Sequence, residues 1–170
     1  DLPEGLQKIG DYAFEGCYEL KSVKFPDSVK YIGTSAFGSC IDLTEVTLPV
    51  NAEYVGQYAF RGCGSLKEVT IPENVKCIGE MTFDFCEEIE TVNFHAVSCD
   101  IIPISQYDGE NLPLSPFITS EKLESITLYN TVKELPAFLY SGLKNIDKVT
   151  LPESVTDIGV GAFANSTILA

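Results

Sequence analysis

Apolar residues recur along this chain on two length scales at once. Within short segments they alternate, as in Leu20-x-x-Val23-x-Phe25, Leu43-x-x-Val46-x-Leu48 and Leu66-x-x-Val69-x-Ile71. Ile89-Val92-Phe94, Leu123-Ile126-Leu128 and Ile146-Val149-Leu151 repeat the pattern. Alternation of apolar and polar residues, rich in β-branched side chains, predicts strands with one buried face. On the longer scale the same segments return every 23 residues. Phe14, Phe37, Phe60 and Phe83 are 23 apart, and so are Cys17, Cys40, Cys63 and Cys86. Gly10, Gly33, Gly56 and Gly79 keep that step, as do Pro3, Pro26, Pro49 and Pro72. A fixed period of this length is the mark of a repeat architecture in which each unit covers its neighbour's apolar face.

Each column has a physical reading. The Pro lacks an amide hydrogen and ends the strand before it. A second short extended piece, such as Val29-Lys30-Tyr31-Ile32, precedes the Gly. That Gly is expected to supply a backbone conformation closed to other residues. Ala-Phe-x-x-Cys then fits a single helical or 3₁₀ turn, because residues three apart share a face. Stacked units place parallel strands about 4.8 Å apart, so seven of them make a rod roughly 30 Å long. The Phe column becomes a continuous internal stack.

The fifth unit is stretched. The step from Phe83 to Phe117 is 34 residues, and the excess is placed within residues 95–111. Leu112-Pro113 and Leu135-Pro136 stand for Ile-Gly in units five and six, and the seventh unit, from Pro152, is cut short. The chain starts inside a repeat without a methionine and stops inside another. It is therefore expected to be a piece of a longer protein whose targeting signals and caps lie elsewhere.

A formal net charge of −14 narrows the partners. No basic stripe is present to neutralise phosphates, which argues against nucleic acid. The same deficit argues against an anionic membrane surface, and no run of about 18 apolar residues exists to cross a bilayer. A basic or neutral partner is easier to accommodate. The six cysteines invite a disulfide framework. The periodic four share their column with Leu143 and Ser166, however, and a column that accepts Leu is a packing column of free thiols. Cys77 and Cys99 lie outside it; a bridge between them, pinning the stretched unit, is the alternative to two free thiols. His95, the only histidine, stands where other units have Pro and reads as a turn residue without a nucleophile beside it. Carboxylates are scattered, not paired across a cleft. Asp108, Glu110 and Asn111 lack the alternating spacing of a calcium loop. No cofactor or metal is expected, and no catalytic grouping.

The recurrent string IG-x-x-AF-x-x-C-x-x-L-x-x-V-x-(I/L/F)-P resembles the BspA-like leucine-rich repeats, also described as the Treponema pallidum type. The likeness covers the chain apart from residues 95–111. It implies one domain over residues 1–170: a right-handed, leucine-rich-repeat-like α/β solenoid of about seven units. One face carries a parallel sheet, the other short strands and helical turns. It further implies a secreted or cell-surface bacterial protein, adhesive in role, with a host extracellular or cell-surface protein as partner. A non-binding spacer or stalk that displays another domain is the alternative.

The outward strand positions would form the binding face. One column is Ser22, Glu45, Glu68, Thr91, Ser125 and Lys148; the next is Lys24, Thr47, Thr70, Asn93, Thr127 and Thr150. Thr favours strands on its own account, so these columns serve equally well as a plain solvated sheet. The stretched unit, with Ile102 and Tyr107, is the second candidate contact. The Phe column yields the first test. Phe60→Ala is expected to destabilise the chain by about 3–5 kcal/mol in thermal or urea unfolding; a near-neutral result would place the core elsewhere.

Overall fold

The computed structural model describes residues 2–103 and 112–168. Eleven short strands carry the architecture: β1 (Lys8–Ile9), β2 (Tyr31–Ile32), β3 (Glu45–Thr47), β4 (Tyr54–Val55), β5 (Glu68–Ile71), β6 (Cys77–Gly79), β7 (Thr91–Phe94), β8 (Asp100–Ile102), β9 (Ile126–Leu128), β10 (Glu134–Leu135) and β11 (Asp157–Ile158). They form two parallel faces. The first sheet has the order β3-β5-β7-β9; the second has β1-β2-β4-β6-β8, with β10-β11 as a separate pair. Register between turns is 23 residues, as in Val46↔Val69 and Ile32↔Val55. The second face is thus also a sheet. Seven units supply a strand to it, but only the second to fifth supply one to the first sheet. Residues 20–25 and 146–151, expected as strands, stay outside the ladder.

The core lies between the two faces. Val46, Val69 and Val92 point into it from one sheet, and Ile32, Val55 and Ile78 from the other, all buried. The Phe column runs through the middle. Phe14, Phe37, Phe60, Phe83 and Phe117 stack with ring centroids 5.0–5.4 Å apart and planes within 8° of parallel. Tyr140 and Phe163 extend the same column at 5.3 Å. Each buried Phe contributes about 1.5–3 kcal/mol from area alone.

No helix occurs among the described residues, so the fold is a β-solenoid and not α/β. The backbone hydrogen bonds give the reason. Within the first turn, Ala13, Glu15 and Cys17 donate back three residues, to Gly10, Tyr12 and Phe14. The residues between them donate forward to the next turn: Tyr12 to Thr34, Phe14 to Ala36 and Gly16 to Gly38. Half of the amides a helix would need are therefore bonded to the neighbour. Two left-handed residues accompany the alternation in every turn except the fifth. Tyr12, Ser35, Tyr58 and Met81 form one such column, with φ of 49–59°; Gly16, Ser39, Gly62 and Phe85 form the other, with φ of 55–73°.

The Gly33, Gly56 and Gly79 column has a role different from the expected one. Positive φ falls two residues later, and these glycines are needed for close approach instead. A Cβ on Gly56 would lie 2.6 Å from the carbonyl carbon of Gly33 and from the amide nitrogen of Thr34. One on Gly79 would lie 2.5 Å from the Cα of Gln57. Turns meet backbone to backbone here.

The register of β8 fixes where the stretch begins within residues 95–111. β8 pairs with β6 in ordinary register, Cys77↔Asp100 and Ile78↔Ile101. Ile101-Ile102, not Leu112-Pro113, therefore occupy the Ile-Gly columns, and the extra residues enter after Ile102. The first sheet closes across them, β7 pairing with β9 as Val92↔Ile126. The second sheet breaks, for β8 and β10 are not paired. Two side chains from preceding turns grip the ends of the stretch. Gln57 Nε2 donates to the Pro103 carbonyl at 3.0 Å, and the buried Glu80 carboxylate accepts from the Leu114 amide at 2.9 Å.

Two substitutions separate these backbone roles. Gly56→Ala is expected to destabilise by about 1–3 kcal/mol or more, as overpacking against backbone. Ser39→Gly relieves a left-handed non-glycine residue and is expected to stabilise by about 1 kcal/mol. Both are read from urea unfolding midpoints.

Candidate binding surface

Residues of the first-sheet strands alternate, out, in, out from the start of β3, β5 and β7 and beginning inward in β9. In β3 and β5 the outward residues are Glu45 and Thr47, and Glu68 and Thr70, placed side by side by the register. Thr91 and Asn93 of β7 continue the two rows, and Thr127 of β9 follows Asn93. All are exposed except Thr70 and Asn93, which are half-buried. Asn93 is held from both sides: its Nδ2 donates to Glu68 Oε1 at 2.9 Å, and its Oδ1 accepts from Tyr129 Oη at 3.3 Å. The Tyr129 ring in turn stacks on the His95 imidazole, centroids 3.7 Å apart.

A groove of about 770 Å³ crosses this face from the first unit to the fourth. Its floor includes Ser22, Lys24, Glu45, Thr47 and Thr70, so five of the expected contact residues converge on it. Glu68, Thr91, Asn93, Ser125 and Thr127 continue the face beyond the groove. Lys148 lines a different recess, of about 630 Å³, with Val149, Leu151 and Phe163, and Thr150 is exposed nearby. Ile102 belongs to β8 of the second sheet, so it does not join these residues. Tyr107 lies outside the described residues, as do Asp108, Glu110 and Asn111.

The groove wall was not singled out by the strand columns. It is built by Asp27, Val50, Glu73 and Asn74, with His95 at one end. Asp27, Val50 and Glu73 are 23 apart, one residue past the strand-ending Pro. That column, two carboxylates around an exposed valine, was the available signal. His95, expected as a turn residue, instead carries the ladder one bond past β7, its amide donating to Ile71, and its carbonyl accepts from Thr131 Oγ1 at 2.7 Å.

Three of the four periodic cysteines pack inward as expected, and one does not. Cys40, Cys63 and Cys86 are buried free thiols, whereas Cys17 in the first turn is exposed. Each buried Sγ donates to a Phe carbonyl of the preceding turn: Cys40 to Phe14 at 3.4 Å, Cys63 to Phe37 at 3.3 Å and Cys86 to Phe60 at 3.1 Å. Burial pushes the Cys40 thiol up to about 12; the Cys86 thiol and burial together raise that of Cys63. Cys77 and Cys99 are free as well. Cys77 shares the outer side of the sheet with Asp100, and alternation puts Cys99 on the inner side, where it is buried. Among the described residues no three His, Cys, Asp or Glu side chains converge as metal ligands, and no helix is long and apolar enough to cross a membrane.

The sequence profile of the BspA-type leucine-rich repeat region matches residues 1–113 and 110–170, in six copies. The chain belongs to the BspA-type leucine-rich repeat family. The six copies are one fewer than the seven units counted by column; the last unit stops before its first-sheet segment. Solved BspA-like relatives agree in fold. A leucine-rich repeat protein of T. pallidum superposes with a TM-score of 0.71 at 29% identity, over 97% of this chain and 72% of its own. One from Bacteroides ovatus gives 0.66 at 25% identity, over 94% of this chain and 38% of its own. A leucine rich cell surface protein of Faecalibacterium prausnitzii gives 0.58 at 28% identity, over 96% and 43%. The chain thus spans about two fifths of the last two proteins. No curated protein matches it.

Thiol labelling tests the packing of the repeat. With iodoacetamide under native conditions Cys17 is expected to react first and Cys77 slowly. Cys40, Cys63, Cys86 and Cys99 are expected to stay protected. In denaturant without reductant all six should label; a mass showing fewer would reveal a disulfide.

Proposed function

We propose that this chain is a protein-binding module of a cell-surface protein, adhesive in role, and that it binds through the outer face of the first sheet. The observation that carries the reading is a contrast between the second face and the groove on the first. On the second, exposed side chains are engaged with one another. Lys8 lies over the Tyr31 ring and Tyr31 stacks on Tyr54; Glu53 pairs with both Lys30 and Lys76. In the groove, the side chains of Ser22, Lys24, Glu45, Thr47 and Thr70 stand open and make no hydrogen bond or ion pair among the described residues. Polar groups left free on a rigid, concave surface are what a protein partner needs. The relative described as a leucine rich cell surface protein supports the location, and the family supports interaction over catalysis. The partner is an extracellular or cell-surface protein of a host or of another cell.

The test uses a panel of purified extracellular-matrix and epithelial surface proteins in biolayer interferometry. At least one is expected to bind, and the double variant Thr47→Arg, Thr70→Arg is expected to weaken that binding by about ten-fold or more. The same variant should melt within roughly 0.5 kcal/mol of the parent, being on the surface. A panel without a binder, or a binder indifferent to the variant, sinks the reading.

A further inference from the structure

We infer that the groove takes an extended, cationic polypeptide segment, two basic residues flanking an apolar one, seated along the Asp27–Val50–Glu73 rim. The inference rests on the protein-binding reading above and names the chemistry of the bound segment. The three rim residues belong to successive turns and follow one another directly, one per turn. Turns are spaced by about 4.8 Å, so the Asp27 and Glu73 positions stand about 10 Å apart with Val50 between them. Both acidic residues are exposed, and Val50 keeps 49% of its surface open.

Neither rim carboxylate is used by the chain itself. Among the described residues the cations within 4 Å of a carboxylate are Lys30 and Lys76 on Glu53, Arg61 on Asp84 and Lys122 on Glu88, all elsewhere. Glu45 on the floor below adds a third unpaired carboxylate, against the single cation Lys24. Elsewhere in the array the 23-residue column solves its charge by alternation, as in Lys30-Glu53-Lys76. At this rim it does not, and an outside cation completes the pattern. A segment in the extended polyproline-II form advances about 3.1 Å per residue with three residues per turn, so residues three apart lie on one edge about 9 Å apart. Lys or Arg three apart can therefore meet Asp27 and Glu73 while an apolar side chain on the adjacent edge covers Val50. A neutral segment would leave the carboxylates unmatched, and an acidic one would be repelled.

The experiment measures fluorescence anisotropy with a fluorescein-labelled probe, Ser-Gly-Lys-Leu-Ser-Lys-Gly-Ser. Two control peptides replace both Lys by Glu, or Leu by Ser. The unmodified chain is expected to bind the probe, the Ser control about three-fold more weakly, and the Glu control not at all. Asp27→Lys with Glu73→Lys is expected to weaken the probe by about ten-fold. Glu87→Lys with Glu121→Lys makes the same charge change in the turns that precede the first-sheet strands, outside the groove lining, and is expected to change it less than about two-fold. Equal losses in the two double variants would reduce the effect to the protein's general acidity and overturn the inference; so would equal affinity for all three peptides, or no probe binding. If the panel yields a partner that depends on Thr47 and Thr70 while the probe fails, the protein-binding reading stands and this inference alone falls.

Discussion

Wherever the 23-residue register holds, a residue of this solenoid lies against its own counterpart one turn later, so a column accepts only side chains that can stack on their neighbours in it. The 23-residue register of both sheets enforces the condition. Flat aromatic rings meet it best in the interior, which is why the Phe column runs parallel at a spacing close to that of the strands. Glycine meets it where backbones touch, because any side chain would be driven into the turn before. Small thiols meet it beside the Phe carbonyls, each giving its hydrogen to the neighbouring turn. On the surface, like charges in one column repel, and the chain answers by alternating sign, by interposing a neutral residue, or by leaving the charge to solvent.

The same condition sets what could be read beforehand. The columns made the register, the two faces, the Phe stack and the burial of Cys40, Cys63 and Cys86 legible, since self-compatibility is visible in the period itself. They misjudged the Ala-Phe-x-x-Cys turn. A spacing of three fits a helical turn and an alternating turn equally well. Only the forward hydrogen bonds from Tyr12, Phe14 and Gly16 decide between them. The left-handed residues were missed for a related reason: Tyr12, Ser35, Tyr58 and Met81 share a φ but no chemistry. Glycine drew attention because it is conspicuous, yet its column answers to space and not to dihedral.

The candidate surface was legible in part. Strand alternation located Glu45, Thr47, Glu68, Thr70, Thr91 and Asn93, because outwardness follows from the buried Val between them. It also put Ser22, Lys24, Lys148 and Thr150 outward, and all four are exposed without being part of a strand. Alternation continues there, but the segments lie outside the ladder. It fell short at Asp27, Val50 and Glu73, which follow the strand and raise a wall where the chain turns. A period reports what stacks, and a groove forms where neighbouring columns differ in height.

The stretched unit breaks one sheet and spares the other. On the first sheet the strands on either side of it pair as ordinary neighbours; on the second the ladder stops and resumes as a separate pair. Chain length at this point is consequently decoupled from the geometry of the exposed face. Residues gained or lost after Ile102 would leave the spacing of Asn93 and Thr127 as it is. The molecule thus has a position where insertions and deletions can accumulate over evolutionary time while the surface presented to a partner keeps its pitch.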